Sequence, residues 1–309
     1  MTATYLHPSV NGAGLNQADL RYFLGVDGGG TGTRVRLTDA QGVLLGQGEA
    51  GPSALGQGIE QAWRHIQQAA LAAARQAGLD SIESMQCAIG LGLSGVSVKT
   101  QAQAFLAQHH GYLALALDGD GYTSLLGAHG GQPGAVVAVG TGSVGEALRR
   151  DGSRVCSSGW GWICGDEGSG AWLGLQAMRQ AQQGLDGRAE VGALARAVWA
   201  AVGADRQSLL AFCASAGQQG FAALAPLVFS HADADPVAEA LLATAGQELE
   251  RLANALDPAG DLPLSLSGSI ALRLAPRLSS RLLARCTEPQ GDSAAGALLL
   301  IRRAIQGCL

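Results

Sequence analysis

Two short segments carry the residue types that bind anions. In Asp27-Gly28-Gly29-Gly30-Thr31-Gly32-Thr33 and in Gly140-Thr141-Gly142-Ser143, glycines follow an apolar run. Glycine permits positive φ and close backbone approach, so consecutive N–H groups can turn toward one anion and form a nest for phosphate oxygens. Thr31, Thr33, Thr141 and Ser143 add hydroxyl donors. A tight hairpin explains either turn by itself. Two turns in equivalent places, with Gly140 112 residues after Gly28, favour a nucleotide phosphate site. Asp27 ends the first apolar run and has two readings. It could hold Mg²⁺ through water, or accept hydrogen bonds from the loop's own N–H groups.

Three further clusters could do chemistry. The segment DGDGYTSLLGAHGG offers Asp118 and Asp120 just before a short helix, where a carboxylate can also serve as a cap. SSGWGWICGDEGSGAW places Trp160, Gly161, Asp166 and Glu167 before another helix, with packing and capping as the plain alternatives. A strand ending in Ser267-Gly268-Ser269 forms the third cluster, and an ordinary strand-to-helix turn is its plain reading.

Composition limits what these residues can do. The chain has 309 residues, 46 of them glycine, and a formal net charge of −5. Lys99 is the one lysine, and it follows Val98 rather than a glycine loop. This excludes a GxxxxGK[ST] phosphate loop and a protein-kinase strand lysine, and leaves Schiff-base chemistry to Lys99 alone. No basic run suggests nucleic acid, and no apolar run approaches the ~18 residues of a membrane span. The first 20 residues lack the basic start and apolar core of a signal peptide. Six cysteines without a CxxC pair read as reduced cytosolic thiols, so a cytoplasmic location is expected. The histidines show no metal-ligand spacing.

The elements that must position these clusters follow from periodicity. Residues 1–20 read as a partly disordered extension, with Leu15 to Leu20 able to dock. A strand with Phe23, Leu24 and Val26 runs into the first glycine turn, then strands with Val35 and Leu37 and with Val43 to Leu45 follow. A helix is predicted over 58–78, a strand over 87–93, a helix near 99–109, a strand over 112–117 and a helix over 121–128. Ala135 to Gly159 then repeats strand, Gly/Thr turn, strand, Asp-Gly turn, strand, which implies two related lobes. Further helices follow, at 168–183 and, capped by Asp235 and opened by Pro236, at 236–256. A strand over 262–266 and a helix over 293–305 complete the chain. The fold class is α/β with mixed, duplicated sheets, divided into lobes 21–128 and 129–309, the last helix being able to pack back on the first lobe.

GVDGGGTGTR, GTGS and GWGWICGDEGSG together resemble the N-acetylglucosamine kinase branch of the BadF/BadG/BcrA/BcrD-type ATPase family, within the actin, sugar-kinase and Hsp70 superfamily. The resemblance runs from about Phe23 to the final helix. It implies two ribonuclease-H-like lobes with a nucleotide cleft between them, ATP and Mg²⁺ as cofactors, and phosphorylation of an amino sugar. N-acetylglucosamine leads as substrate, with the 6-hydroxyl as acceptor, followed by glucosamine and glucose. The family pattern makes an aspartate before a short helix the general base; spacing to Gly127 favours Asp120, with Asp118 in reserve. ATP would contact Gly28, Gly29, Gly30, Thr31, Gly32, Thr33, Gly140, Thr141, Gly142, Gly268 and Ser269. Sugar would contact Ser53, Asp120, Gly142, Ser143, Trp160, Gly161 and Asp166, and Asp27 would face the metal. Partners are then the sugar and ATP, without nucleic acid or membrane, while a homodimer stays open.

One departure stands out. Related sugar kinases grip the hexose with an asparagine after the third strand, where this chain has Ala54 beside Ser53. Two alternatives within the superfamily also remain. An iron–sulfur ATPase activator would need a cysteine before GTG, where Val137, Ala138 and Val139 stand. A sugar-sensing repressor would need a DNA-binding domain longer than the 20-residue extension.

Overall fold

In the computed structural model residues 4–6 and 20–307 are described. The chain divides into two units, Met1–Gly134 with Glu288–Leu309, and Ala135–Thr287. The boundary thus lies six residues beyond the 128 read from the sequence, and the last helix groups with the first unit.

The first unit is built on a six-stranded sheet of order β1-β6-β5-β2-β3-β4. Its strands are β1 (Tyr5–Leu6), β2 (Tyr22–Gly28), β3 (Thr33–Asp39), β4 (Leu44–Ala50), β5 (Cys87–Leu93) and β6 (Ala114–Asp118). β2, β3 and β4 form an antiparallel meander, and β5 and β6 run parallel to β2. All seven residues of β5 are buried, which is why Cys87–Leu93 reads as an unbroken apolar run rather than an alternating one. α1 (Ile59–Gln76) buries Ala62, Trp63, Ile66, Ala69, Ala70 and Ala73 at helical spacing. Trp63 stacks on Phe105 with ring centroids 4.2 Å apart, and its indole N–H donates to the Phe105 carbonyl at 3.1 Å. Phe105 lies on α2 (Lys99–Ala107).

α3 (Asp120–Ala128) and α12 (Ser293–Gln306) pack on each other, and α12 lies against β2 and β5. Any side chain at Gly25 or Gly90 would put its Cβ about 2 Å from the α12 carbonyls of Ala294 and Ala297. The helix therefore sits directly on sheet backbone, a use of glycine that the sequence pattern does not disclose.

Two sequence expectations change here. Tyr5–Leu6, read as part of the extension, pair antiparallel with β6 as an edge strand. A two-residue strand is too short to show period-2 alternation, so no signal announced it. The third strand extends to Ala50, well past Leu45, with a register shift at Leu37/Thr38. Of the segment expected to dock, Leu20 is buried, while residues 15–19, like residues 1–3 and 7–14 of the extension, lie outside the described residues.

The second unit repeats the plan. Its sheet has order β10-β7-β8-β9, from β7 (Gly134–Val139), β8 (Ser143–Leu148), β9 (Arg154–Ser158) and β10 (Leu264–Ser267). β10 runs parallel to β7, as β5 does to β2. Between β9 and β10 lie α4 (Gly170–Leu185), α5 (Ala193–Val202), α6 (Arg206–Ser215), α7 (Gly217–Ala222), α8 (Ala225–His231) and α9 (Pro236–Leu256). Asp235 caps two of these helices at once. Its Oδ1 accepts from Val237 and Ala238 N–H, and its Oδ2 accepts from Leu194 N–H at 2.7 Å. α10 (Ser269–Leu274) and α11 (Ser280–Leu283) follow β10. Among the described residues no helix is long and apolar enough to cross a membrane.

Candidate active site

In the first unit the site residues gather at the carboxyl ends of parallel strands. The register places Asp27 of β2 beside Gly92 of β5, and Gly92 beside Asp118 of β6. The chain leaves β2 through Gly29–Gly32 and returns as β3, with the Gly29 N–H donating to the Gly32 carbonyl at 3.0 Å. Among the described residues, the N–H groups of Gly30 and Thr31 meet no intramolecular acceptor, and nothing lies within 4 Å of a Cβ placed on Gly29. The turn is an open cradle lined with backbone donors, which suits phosphate oxygens.

Beneath it two hydroxyls turn inward. Ser53, expected at the sugar, is 0% exposed, and Thr33, expected at the nucleotide, is also buried. Thr33 Oγ1 bonds Ser53 Oγ at 2.7 Å and the Gly51 carbonyl at 2.6 Å, while the Ser53 and Ala54 N–H groups donate to the Gly29 carbonyl. Gly28 closes over the same hydroxyl, 2.1 Å from where its own Cβ would stand. These groups hold the turn's shape from within. Thr31 alone of the loop hydroxyls is exposed.

Asp27 does not cap the loop. Its Oδ2 accepts from Arg34 Nη2 at 2.6 Å and Nε at 3.2 Å. Asp27 and Arg34 are directly paired residues of β2 and β3, so hairpin register made this partner foreseeable. Oδ1 takes no hydrogen bond from a described residue, and among the described residues no group of three His, Cys, Asp or Glu side chains is placed to hold a metal ion. One free carboxylate oxygen fits a Mg²⁺ that keeps its waters and takes other ligands from phosphates.

Asp120 is the first residue of α3, and the N-cap is Gly119, so it is not the cap the plain reading offered. Its Oδ1 accepts the Gly121 N–H at 3.0 Å. Burial pushes its carboxyl above the usual aspartate range and the charge of Asp27 adds to this, against the pull of the Gly121 N–H. Asp118 is differently placed. It is fully buried and accepts from Thr4 Oγ1 at 2.6 Å and from the Gly119 N–H at 2.7 Å.

In the second unit Gly140–Gly142 is closed by a Gly140 N–H to Gly142 carbonyl bond of 2.9 Å. Its carbonyls cap the start of α4, with Gly170 N–H donating to Gly140 at 2.8 Å and Ala171 N–H to Thr141 at 3.1 Å. No atom lies within 4 Å of a Cβ placed on Gly140. Gly268, φ 88°, stands next to this turn, because β10 pairs with β7 in parallel. A Cβ there would meet the Val139 carbonyl at 2.4 Å. Ser269 opens α10 and is exposed. These two turns thus lie at the carboxyl ends of adjacent parallel strands of one sheet.

The segment 158–168 has positive φ at Ser158, Gly159, Gly161, Asp166 and Gly168. Left-handed Asp166, φ 58°, is strained backbone of the kind that gathers at functional sites. It is 4% exposed. Burial foremost, and then the Glu167 charge, hold its carboxyl above the usual range against the Ser143 and Gly161 amides. Ser143, expected at the sugar, is buried, with its Oγ 3.2 Å from both Ser158 Oγ and the Glu167 carbonyl. Trp160 is 80% exposed, with Gly161 beside it also at the surface. Trp162 packs on Phe221. Gln218, from α7, donates to Asp166 Oδ2 at 3.0 Å. It lies 52 residues from its partner in a segment without a motif, and no sequence signal marked it.

Known proteins resemble this chain over most of its length. The chain is 34% identical over 281 residues to glucosamine kinase GspK of Vibrio cholerae, covering 91% of this chain and 95% of that protein. It is 27% identical to N-acetyl-D-glucosamine kinase of Dictyostelium discoideum, covering 80% and 84%. A Chromobacterium violaceum structure named "Putative N-acetylglucosamine Kinase" matches with a TM-score of 0.85 and 50% identity, over 92% of this chain and 99% of that one. Residues 24–300 match the family model described as the BadF/BadG/BcrA/BcrD ATPase family, and the chain belongs to that family.

Proposed function

We propose that this protein is an ATP-dependent amino-sugar kinase that transfers the γ-phosphoryl group of ATP to a hexosamine hydroxyl, releasing ADP. The observation that carries the reading is the pair of open glycine turns, one per unit, each at the end of the first strand of a repeated meander. The names of the relatives, glucosamine and N-acetylglucosamine kinases, support the same substrate class.

In this reading Gly29, Gly30, Thr31, Gly32, Gly140, Thr141 and Gly142 offer backbone donors to phosphate oxygens. Gly268 and Ser269 lie on the nucleoside side of the second turn. A magnesium ion held through Asp27, when bound, spreads the phosphate charge. Asp120 accepts the proton of the attacking hydroxyl, for which a carboxyl raised by burial is the better base. Asp166 accepts hydrogen bonds from sugar hydroxyls, and the exposed Trp160 indole packs on the apolar face of the pyranose. Thr33, Ser53 and Ser143 maintain the turns from beneath. N-acetylglucosamine and glucosamine are the leading acceptors, with the 6-hydroxyl as the site of transfer.

Coupled measurement of ADP release across hexosamines and hexoses tests this. Sugar-stimulated release, greatest with a hexosamine, is the expected result. ATP hydrolysis indifferent to sugar would overturn it.

A further inference from the structure

Gln218 lies outside the glycine turns and outside the GWGWICGDEGSG segment. We infer that it is a positioning residue for Asp166, fixing the orientation of the carboxylate that receives the sugar. The inference rests on the kinase reading above and adds to it a residue from the helical insertion.

Four observations meet at this point. Gln218 Nε2 donates to Asp166 Oδ2 at 3.0 Å, engaging one oxygen of the carboxylate. Asp166 is nearly inaccessible and sits in left-handed backbone, and beside the Ser143 and Gly161 amides that act on its carboxylate, Gln218 supplies the side-chain partner. A Cβ on Gly142 would lie 2.7 Å from Asp166 Oδ2 and 3.2 Å from Gln218 Nε2. The glycine turn, the carboxylate and the amide therefore touch, and any side chain at 142 would break them apart. Finally, the donor is a neutral amide. It stabilises the ionised carboxylate without cancelling its charge, whereas an arginine in its place would occupy both oxygens.

A structural role alone predicts something else. Gln218 is half-exposed on a six-residue helix, and its loss leaves the apolar core of the unit intact. The effect should appear on sugar and not on nucleotide, with a stability cost no larger than that of one hydrogen bond.

Gln218→Met keeps the length and removes the donor. With the full chain, the sugar KM should rise about tenfold, as for one hydrogen bond to a charged group. The ATP KM and kcat should stay within about twofold, and the melting temperature should fall by no more than a few degrees, the cost of one hydrogen bond. Gln218→Glu, which replaces the donor with a second carboxylate, should raise the sugar KM further. An unchanged sugar KM in folded Gln218→Met, or an equal rise in both KM values, overturns the inference while leaving the kinase reading intact. If the wild-type protein shows no sugar-stimulated ADP release, both fall together.

Discussion

Asp27 and Arg34 face each other across the β2–β3 hairpin, with Arg34 Nη2 2.6 Å from Asp27 Oδ2. The pair sets the acidic group at the first glycine turn against a cation that can compete with metal for it. The bond and charge of Asp27 raise the pKa of Arg34, so the guanidinium stays charged throughout the working range.

Arg34→Gln should therefore lower the Mg²⁺ concentration needed for half-maximal activity, by about two- to threefold. Because the Arg34 side chain is 58% exposed, stability should change by less than about 1 kcal/mol. Titration of activity with Mg²⁺, beside a urea unfolding curve, checks both statements. An unchanged Mg²⁺ requirement would remove Asp27 from the metal site.

Asp120→Asn should cut kcat by about 10²–10⁴-fold while ATP and sugar still bind. It should also stabilise the protein. The folded-state pKa of Asp120 is raised, so its favourable contribution is complete only below the unfolded aspartate pKa and is lost as pH rises through the folded value. At pH 7 the buried ionised carboxylate is a liability, and the amide removes it. A Tm higher by about 1–3 °C at pH 7 is expected, shrinking toward zero as the pH falls below the aspartate range. Calorimetry at the two pH values, together with single-turnover kinetics, decides the matter. Normal turnover would move the base to Asp118.

Asp292 caps α12 through the Ala295 N–H at 2.9 Å and binds Arg36 of β3 through both carboxylate oxygens. Burial works against its ionisation, but the Arg36 hydrogen bonds, the Ala295 N–H and nearby arginine charge outweigh it, so its pKa is lowered. A depressed carboxylate stabilises the fold above the unfolded aspartate pKa and loses that contribution as pH falls through its folded value. Asp292→Ala should cost about 1–3 kcal/mol at pH 7. Asp292→Asn, which still caps, should cost less, and both differences should narrow below about pH 4. Urea unfolding at pH 7 and pH 3 measures this. Equal differences at both pH values would mean that Arg36 contributes nothing through charge.

Much of this molecule is legible in its sequence. The 3.6-residue period and the Asp235-Pro236 start define α9 from end to end, and the unbroken apolar run Cys87–Leu93 is β5 as the structure has it. Those features are local, set by propensity, capping and burial period. The recurrence of a strand, a glycine turn and a strand also foretold two meanders, and the structure adds a parallel strand beside each. Even Arg34 was within reach, since hairpin register pairs it with Asp27.

Tertiary structure decided what the side chains do. Ser53, Thr33 and Ser143 have the chemistry of ligand donors, but burial commits their hydroxyls to bonds inside the turns. Gln218 meets Asp166 across 52 residues and Arg36 meets Asp292 across 256, contacts that no local pattern encodes. Composition and spacing determined where backbone could receive phosphate, because glycine's freedom is a property of the residue itself. Which polar groups stay available for ligand depends on what packs against them, and that is fixed only when distant segments meet.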